Sequence, residues 1–279
     1  MTYMGFESEY ETSELVLFGA PFDGTVSYRP GTRFAPAAMR AEFEGLETYS
    51  PYFDMDLEAY SLFDGGDLDL PFGSKERALD MIYDTTKKIL DDNKIPLMIG
   101  GEHLVSYGPM KAVAEKYDDL AILHFDAHAD LRSDYMDEAF SHATVIRRIW
   151  DIVGDEKIYQ FGIRSGTRDE FEFAKAHTVM EKFSYSTLAS LVSSLSDRPV
   201  YITIDLDVLD PSVFSGTGTP EPGGLTFHEM MEIIVQVSGL NIVGADIVEL
   251  SPHYDASGVS TAVACKVLRE LTFAILRGR

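Results

Sequence analysis

Acidic and histidine side chains are concentrated in short segments that each follow an apolar run. These residues are His103, Asp126, His128, Asp130, Asp205, Asp207, Asp246 and Glu249. Because alternate side chains of a β-strand point to the same side, Asp126, His128 and Asp130 share one side if strand geometry continues through them. Asp205 and Asp207 repeat this spacing. The sequence therefore predicts convergent sets of oxygen and nitrogen ligands.

Bound cations are the simplest explanation for this crowding of carboxylates. Like charges that are packed closely are costly unless opposite charge neutralises them. Parallel α/β sheets bind ligands beyond the carboxyl ends of their strands, which is where these acids stand in the sequence. Carboxylate oxygens and imidazole nitrogens without a thiolate suit a manganese-type pair of ions better than a structural zinc ion.

The sequence lacks the patterns of several other sites. An EF-hand loop starting at Asp205 would place Asp210 where glycine is required and Gly216 where glutamate is required. There is no Walker A motif, no GxGxxG motif after a strand and no GxSxG motif, so nucleotide binding and serine-hydrolase chemistry have no support. The one cysteine, Cys265, excludes an intramolecular disulfide and a cysteine-based zinc site.

The composition describes an acidic globular protein. The chain has 279 residues, 23 Lys and Arg against 46 Asp and Glu, and a formal net charge of −23. Nucleic acids and anionic membranes require a basic surface, so the charge argues against both and is compatible with cationic small molecules. The start of the chain lacks the basic and apolar regions of a signal peptide, and we find no apolar stretch long enough for a membrane helix. We expect a cytoplasmic protein.

Short apolar runs alternate with longer amphipathic stretches, which indicates βαβ units around a mostly parallel sheet with helices on both faces. The predicted strands are Leu15–Phe18, Ala59–Phe63, Pro96–Ile99, Leu120–Phe125, Lys157–Gly162, Val200–Ile204 and Ile242–Val248. The predicted helices are 35–46, 75–91, 104–117, 142–151, 168–176, 185–195, 227–238 and 257–276. Thr226 and Glu229 form a capping-box pattern at the start of one helix. No linker or repeat interrupts the chain, so we expect a single domain over residues 1–279.

Three of the segments resemble the signatures of the ureohydrolases, the arginase and agmatinase family. They are Gly100–His103, Asp126–Asp130 and Asp205–Pro211, and the similarity extends from about residue 14 to residue 275. The resemblance implies an arginase-like three-layer αβα fold with an eight-stranded, mostly parallel sheet. It also implies two Mn²⁺ ions per chain and a homotrimer or homohexamer.

The resemblance further implies a role for each site residue. One ion is expected to bind His103, Asp126, Asp130 and Asp205, and the other to bind Asp126, His128, Asp205 and Asp207, so that Asp126 and Asp205 bridge the pair. Hydroxide that bridges the metals is expected to attack a guanidinium carbon that Glu249 holds in place. Asp130 then passes a proton to the departing amine, and His142 exchanges protons with solvent, a role that its ordinary near-neutral pKa permits.

Within the family, residues 28–36 and 216–225 resemble agmatinases, which implies hydrolysis of agmatine to putrescine and urea. The loop between Asp130 and His142 does not resemble the Asn/Thr/Ser-rich loop with which arginases hold the α-carboxylate and α-amine of arginine. It offers acids that suit a bare ammonium, namely Asp134, Asp137 and Glu138, although Arg132 in the same loop counts against this interpretation.

Other functions stay open. The chain could hydrolyse guanidinobutyrate or arginine, or it could be a catalytically silent metal-binding protein of the same fold. A mononuclear zinc deacetylase is a third possibility, but a single ion needs about four protein ligands at most and the predicted set is larger. Asp246 could support the site or serve the fold alone. His124 is expected to be a core histidine with its hydrogen bonds satisfied rather than a ligand.

Overall fold

A computed structural model describes residues 2–278 of the chain and contains an eight-stranded sheet and a separate two-stranded one. The strands are β1 (Leu15–Ala20), β2 (Tyr49–Ser50), β3 (Met55–Asp56), β4 (Leu62–Asp67), β5 (Ile95–Gly100), β6 (Ala121–Phe125), β7 (Ile158–Ile163), β8 (Val179–Lys182), β9 (Pro199–Asp205) and β10 (Asn241–Val248). The large sheet has the order β4-β1-β5-β10-β9-β6-β7-β8, and its neighbouring strands are parallel. Strands β2 and β3 pair antiparallel. The expected α/β architecture is confirmed.

Helices cover both faces of the large sheet. They are α1 (Ala35–Glu42), α2 (Lys75–Asp91), α3 (Tyr107–Lys116), α4 (Val145–Val153), α5 (Arg168–His177), α6 (Leu188–Ser194), α7 (Phe227–Val237) and α8 (Val259–Arg277). Helices α1, α6, α7 and α8 contribute to the core on one face, and α2 to α5 contribute to the core on the other.

Alternate residues of each inner strand enter these two cores. In β1, Leu15 and Leu17 pack against one set of helices while Val16 and Phe18 pack against the other. A strand that is buried on both faces must be apolar at consecutive positions, which is why these strands appear in the sequence as continuous apolar runs. None of the helices within residues 2–278 has both the length and the apolar character needed to cross a lipid bilayer.

A buried ion pair joins helix α1 to strand β4. Arg40 donates two hydrogen bonds to Asp64, at 2.7 Å from Nε and 2.8 Å from Nη2, and both side chains are almost fully buried. Burial alone would raise the pKa of Asp64, but the hydrogen bonds and charge of Arg40 outweigh it and lower that pKa below 3.8. The pair therefore contributes to stability while Asp64 is ionised.

Some predicted elements differ from the structure. The predicted strand Ala59–Phe63 begins too early and overlaps β4 only at Leu62 and Phe63, because Asp56 accepts a hydrogen bond from the Glu58 backbone and starts a 3₁₀ turn before β4 begins. Strand β8 was not predicted, since it lies at the sheet edge and its residues are exposed or half-buried rather than apolar. The capping box of α7 is confirmed.

The predicted helix 104–117 has an irregular start. A 3₁₀ segment, His103–Ser106, precedes α3, which begins at Tyr107. Pro109 lies in the first turn of α3, where its missing N–H leaves no hydrogen bond unmade. The loop after β5 is thereby extended, and His103 lies in the 3₁₀ segment before the helix.

Candidate metal centre

Four neighbouring strands of the sheet, in the order β5-β10-β9-β6, end at the candidate site. Asp205 is the last residue of β9, Asp126 directly follows β6, and Glu249 directly follows β10. His103 comes three residues after β5. Parallel pairing brings these carboxyl ends to one edge, so side chains far apart in the sequence converge there.

His103 stands at the centre of one group of carboxylates. Its Nδ1 lies 3.1 Å from Asp126 Oδ2, 3.1 Å from Asp130 Oδ2 and 3.4 Å from Asp205 Oδ2. This nitrogen is buried, and among the described residues it has no hydrogen-bond partner of acceptable geometry. Once unprotonated, a nitrogen that faces three carboxylates would suit a divalent cation, and these are the four residues expected around one ion.

A second group adjoins the first. His128 Nδ1 lies 3.0 Å from Asp207 Oδ2 and 3.5 Å from Asp126 Oδ1. The candidate ligand atoms of Asp126, His128 and Asp207 all lie within 4.8 Å of one another. The Asp207 backbone N–H donates to Asp205 Oδ1 at 2.9 Å, which ties this group to Asp205. The structure thus brings together all six predicted ligands; their assignment as ligands stays a prediction.

Protonation of the site reflects the crowding of charge. Burial raises the pKa of Asp130 to about 7, and the charge of Asp126 adds to the effect. Burial also raises the pKa of Asp205, with Asp207 as a further cause. For His103, burial opposes the charged form, but the three neighbouring carboxylates outweigh it and raise the pKa. These shifts reflect the crowding of negative charge in the site, which bound cations would also offset.

The segment that carries Asp126, His128 and Asp130 is not a continuation of the strand. Strand β6 ends at Phe125, and Asp130 has a positive φ of 51°. The three side chains converge because the chain turns, so the strand geometry on which the expected alignment depended does not continue through them. Glu249 also has a positive φ, 66°. Such conformations are uncommon for residues other than glycine and are concentrated at functional sites.

His142 lies at the edge of the cleft, where its backbone and ring are both held. Its backbone N–H donates to Thr25 Oγ1 at 3.0 Å, and its Nε2 is 3.2 Å from Ser27 Oγ. Thr25 in turn donates from Oγ1 to the buried Glu102 at 2.8 Å. Burial lowers the pKa of His142 to about 4, and positive charge on His128 is a further cause. Burial thus moves the pKa of His142 below the near-neutral value expected from the sequence and favours the unprotonated ring.

Glu249 presents its carboxylate to the same cleft. Its Oε1 accepts a hydrogen bond from the His103 backbone N–H at 2.7 Å, and its own backbone N–H donates to the Gly101 carbonyl at 2.9 Å. The cleft encloses about 280 Å³. Its walls include His103, His128, Asp130, His142, Asp205 and Glu249.

The acids of the loop after Asp130 do not face this cleft. Asp134, Asp137 and Glu138 are absent from the described residues that line it, and Glu138 instead forms an ion pair with Lys75. Arg132 does line the cleft, where it lies 3.5 Å from Glu170 and 4.6 Å above the Tyr135 ring. The interpretation that loop acids receive a bare ammonium is therefore wrong for the three residues proposed.

Sequence reasoning missed the side chains that hold the ligands. Thr203 lies 3.1 Å from His103 Nε2 and donates to Asp246 at 2.7 Å. Asp246, left open by the sequence, therefore supports the site through Thr203. His124 is fully buried, as expected, and its Nε2 lies 2.8 Å from Asp126 Oδ2. One signal was available, since polar residues such as Thr203 interrupt runs that are otherwise apolar and must find partners in the core.

Both the sequence and the fold of this chain closely match those of known proteins. A sequence model of the arginase family matches residues 13–274. An agmatinase from Bacillus anthracis is 51% identical over 94% of this chain and 92% of its own length, and one from Bacillus subtilis is 46% identical over 99% and 96%. The crystal structure of a candidate agmatinase from Clostridium difficile has a TM-score of 0.94 and 58% identity, covering 96% of this chain and 98% of that one.

Proposed function

The chain belongs to the arginase family, and we propose that this metal-dependent ureohydrolase hydrolyses agmatine to putrescine and urea. The observation that carries the chemistry is the buried His103 Nδ1, which faces three carboxylates without a hydrogen bond, in the cleft that Glu249 also lines. The names of the relatives support agmatine as the substrate.

We propose that two cations, Mn²⁺ by the chemistry of the oxygen and nitrogen donors, are held in this cleft. Their ligands are His103, Asp126, His128, Asp130, Asp205 and Asp207. When bound, such a pair of divalent cations polarises water and supplies hydroxide at neutral pH. The close grouping of the ligand atoms supports two adjacent positions rather than one.

The remaining steps belong to residues of this chain. Glu249 orients the guanidinium through the carboxylate oxygen that His103 does not occupy, which fixes the direction of attack on the guanidinium carbon. Asp130 would take up the proton released as water adds to the guanidinium carbon through a new C–O bond, and it would pass that proton to the departing amine as the C–N bond breaks. His142 would exchange protons between the cleft and solvent, with Ser27 beside its ring.

A guanidino acid such as guanidinobutyrate is a second candidate substrate. Arg132 lines the cleft and could pair with a carboxylate, whereas the loop acids face elsewhere. Against this, Glu170 already lies beside Arg132 and offsets its charge. Agmatine is therefore preferred, and the cleft is also lined by the polar side chains of Tyr135 and Ser27.

Release of urea tests the proposal directly. Purified protein loaded with Mn²⁺ is given agmatine, guanidinobutyrate and arginine under identical conditions, and kcat/KM is compared. We expect the highest value for agmatine. A higher kcat/KM for guanidinobutyrate would change the assigned substrate and leave the proposed type of reaction unchanged. No urea from any of the three would refute the enzyme and favour a catalytically silent metal-binding protein.

Several expectations stay predictions. Metal analysis is expected to find two Mn²⁺ ions per chain, and one ion would contradict the binuclear centre. The homotrimer or homohexamer, the cytoplasmic location and the single domain over residues 1–279 are likewise predictions. Size-exclusion chromatography with light scattering would measure the oligomeric state.

A further inference from the structure

A buried glutamine on strand β7 contacts two segments that carry proposed metal ligands without lining the cleft itself. Gln160 is fully buried. Its Nε2 lies 2.9 Å from the Ala129 carbonyl oxygen and 3.0 Å from His124 Nδ1, and its Oε1 lies 2.9 Å from Thr178 Oγ1. Ala129 directly precedes Asp130, and His124 contacts Asp126, so one amide reaches both segments.

The orientation of this amide follows from its partners. A carbonyl oxygen can only accept a hydrogen bond, so the side of the amide that faces Ala129 must be the NH₂ group. The oxygen then faces Thr178, whose hydroxyl donates to it. The NH₂ group has two hydrogens, one for the Ala129 carbonyl and one for His124 Nδ1. Both N–H groups and the oxygen of the amide are therefore hydrogen-bonded.

The amide in turn determines where His124 carries its proton. Because Gln160 donates to Nδ1, that nitrogen must be the unprotonated one. The proton of the neutral ring is therefore on Nε2, which lies 2.8 Å from Asp126 Oδ2 and donates to it. A protonated Nε2 has no lone pair left for a metal ion. His124, His103 and Asp126 lie close enough to suggest a metal cluster, but the hydrogen bonds remove His124 from it.

We propose that Gln160 is a positioning residue of the metal centre. It sets the tautomer of His124, which in turn fixes the carboxylate of Asp126. It also holds the backbone carbonyl of Ala129, the residue before Asp130. A buried ligand held in this way loses less conformational freedom when a cation binds. Since Asp126 and Asp130 are ligands only in the function proposed above, the role of Gln160 rests on that function.

The tautomer can be observed by ¹⁵N NMR of histidine-labelled full-length protein. The sample is loaded with ¹¹³Cd²⁺, a diamagnetic substitute for Mn²⁺ that couples to nitrogen atoms bound to it. We expect His124 to carry its proton on Nε2 and to show no coupling to cadmium. A proton on Nδ1, or a resolved coupling between His124 and cadmium, would overturn the proposal.

Two substitutions test the cause. Gln160→Glu keeps the size but replaces the donor with an acceptor, and we expect His124 Nδ1 to become protonated. Gln160→Met removes both donors, and we expect Mn²⁺ affinity in equilibrium dialysis to fall about 10- to 100-fold, the usual effect of losing an outer partner of a ligand. The matched control is Gln236→Met on helix α7, the other glutamine of the chain, which should leave affinity unchanged.

The outcomes separate this role from the proposed activity. An unchanged His124 tautomer in Gln160→Glu, or unchanged Mn²⁺ affinity in a folded Gln160→Met protein, would contradict the positioning role. If Gln160→Met does not fold, the tautomer in Gln160→Glu decides. Neither readout requires turnover, so a protein that releases no urea but shows the expected tautomer shift would refute the activity and support the role of Gln160.

Discussion

Replacing Glu249 by glutamine isolates the charge that is proposed to hold the guanidinium. One carboxylate oxygen, Oε1, is committed to the His103 backbone N–H at 2.7 Å, so only Oε2 is available to a substrate. The variant Glu249→Gln keeps an amide oxygen that can accept from the His103 backbone. Burial raises the pKa of Glu249, and a guanidinium beside it would favour the charged form. The variant removes the negative charge that this pairing requires. A hydrogen bond to a charged group contributes about 1.5–3 kcal/mol.

This range converts to a loss of roughly 10- to 150-fold in kcat/KM, at about 1.4 kcal/mol per factor of ten. The assay is initial-rate urea release from agmatine with saturating Mn²⁺, together with metal analysis of both proteins. Metal content should not change, because the glutamine oxygen still accepts from the His103 backbone. The loss in kcat/KM should appear for every guanidine tested, since Glu249 is proposed to contact the guanidinium group that all of them share.

The matched control is Glu138→Gln, which removes an equal charge from the loop outside the cleft. We expect its kcat/KM to stay within about twofold of the parent, because screening by water and salt makes an exposed charge count for little. If Glu249→Gln retained full activity, or if both variants lost activity equally, a specific contact between Glu249 and the guanidinium would be refuted.

Five further outcomes are expected. Arg40→Met should lower the free energy of unfolding by about 3–5 kcal/mol in urea titrations, because it leaves Asp64 buried without its partner. The pKa of Asp64 in the folded protein is below its ordinary value of 3.8, so its contribution to stability is complete above that pH and is lost as the pH falls below it. In the Asp64→Asn variant, the free energy of unfolding should therefore change less between about pH 5 and pH 2 than in the parent protein. His142→Asn should lower kcat and leave metal content unchanged, and equal kcat would exclude the proton transfer. Asp207→Asn should lower bound Mn²⁺ from two ions per chain toward one, and chelation of the parent protein should abolish urea release until Mn²⁺ is restored.

Much of the fold could be predicted because the inner strands are buried on both faces. Leu15–Phe18 and Val200–Ile204 are continuous apolar runs, and the structure has strands at both places. The edge strand Val179–Lys182 was missed for the opposite reason, since a partly exposed edge has no need of such a run. The error at Ala59–Phe63 came from Asp56, whose side chain starts a turn that apolar patterning does not reveal.

The sequence by itself determined which acids and histidines follow the strands at the candidate site, because residue type and position after a strand are local properties. Tertiary structure alone decided which strands are neighbours, and the order β5-β10-β9-β6 is what brings His103, Asp205 and Asp126 together. It also turned Glu138 away from the cleft and placed Gln160 against His124. Both depend on contacts between residues distant in the chain, and local periodicity carries no information about which distant partners will meet.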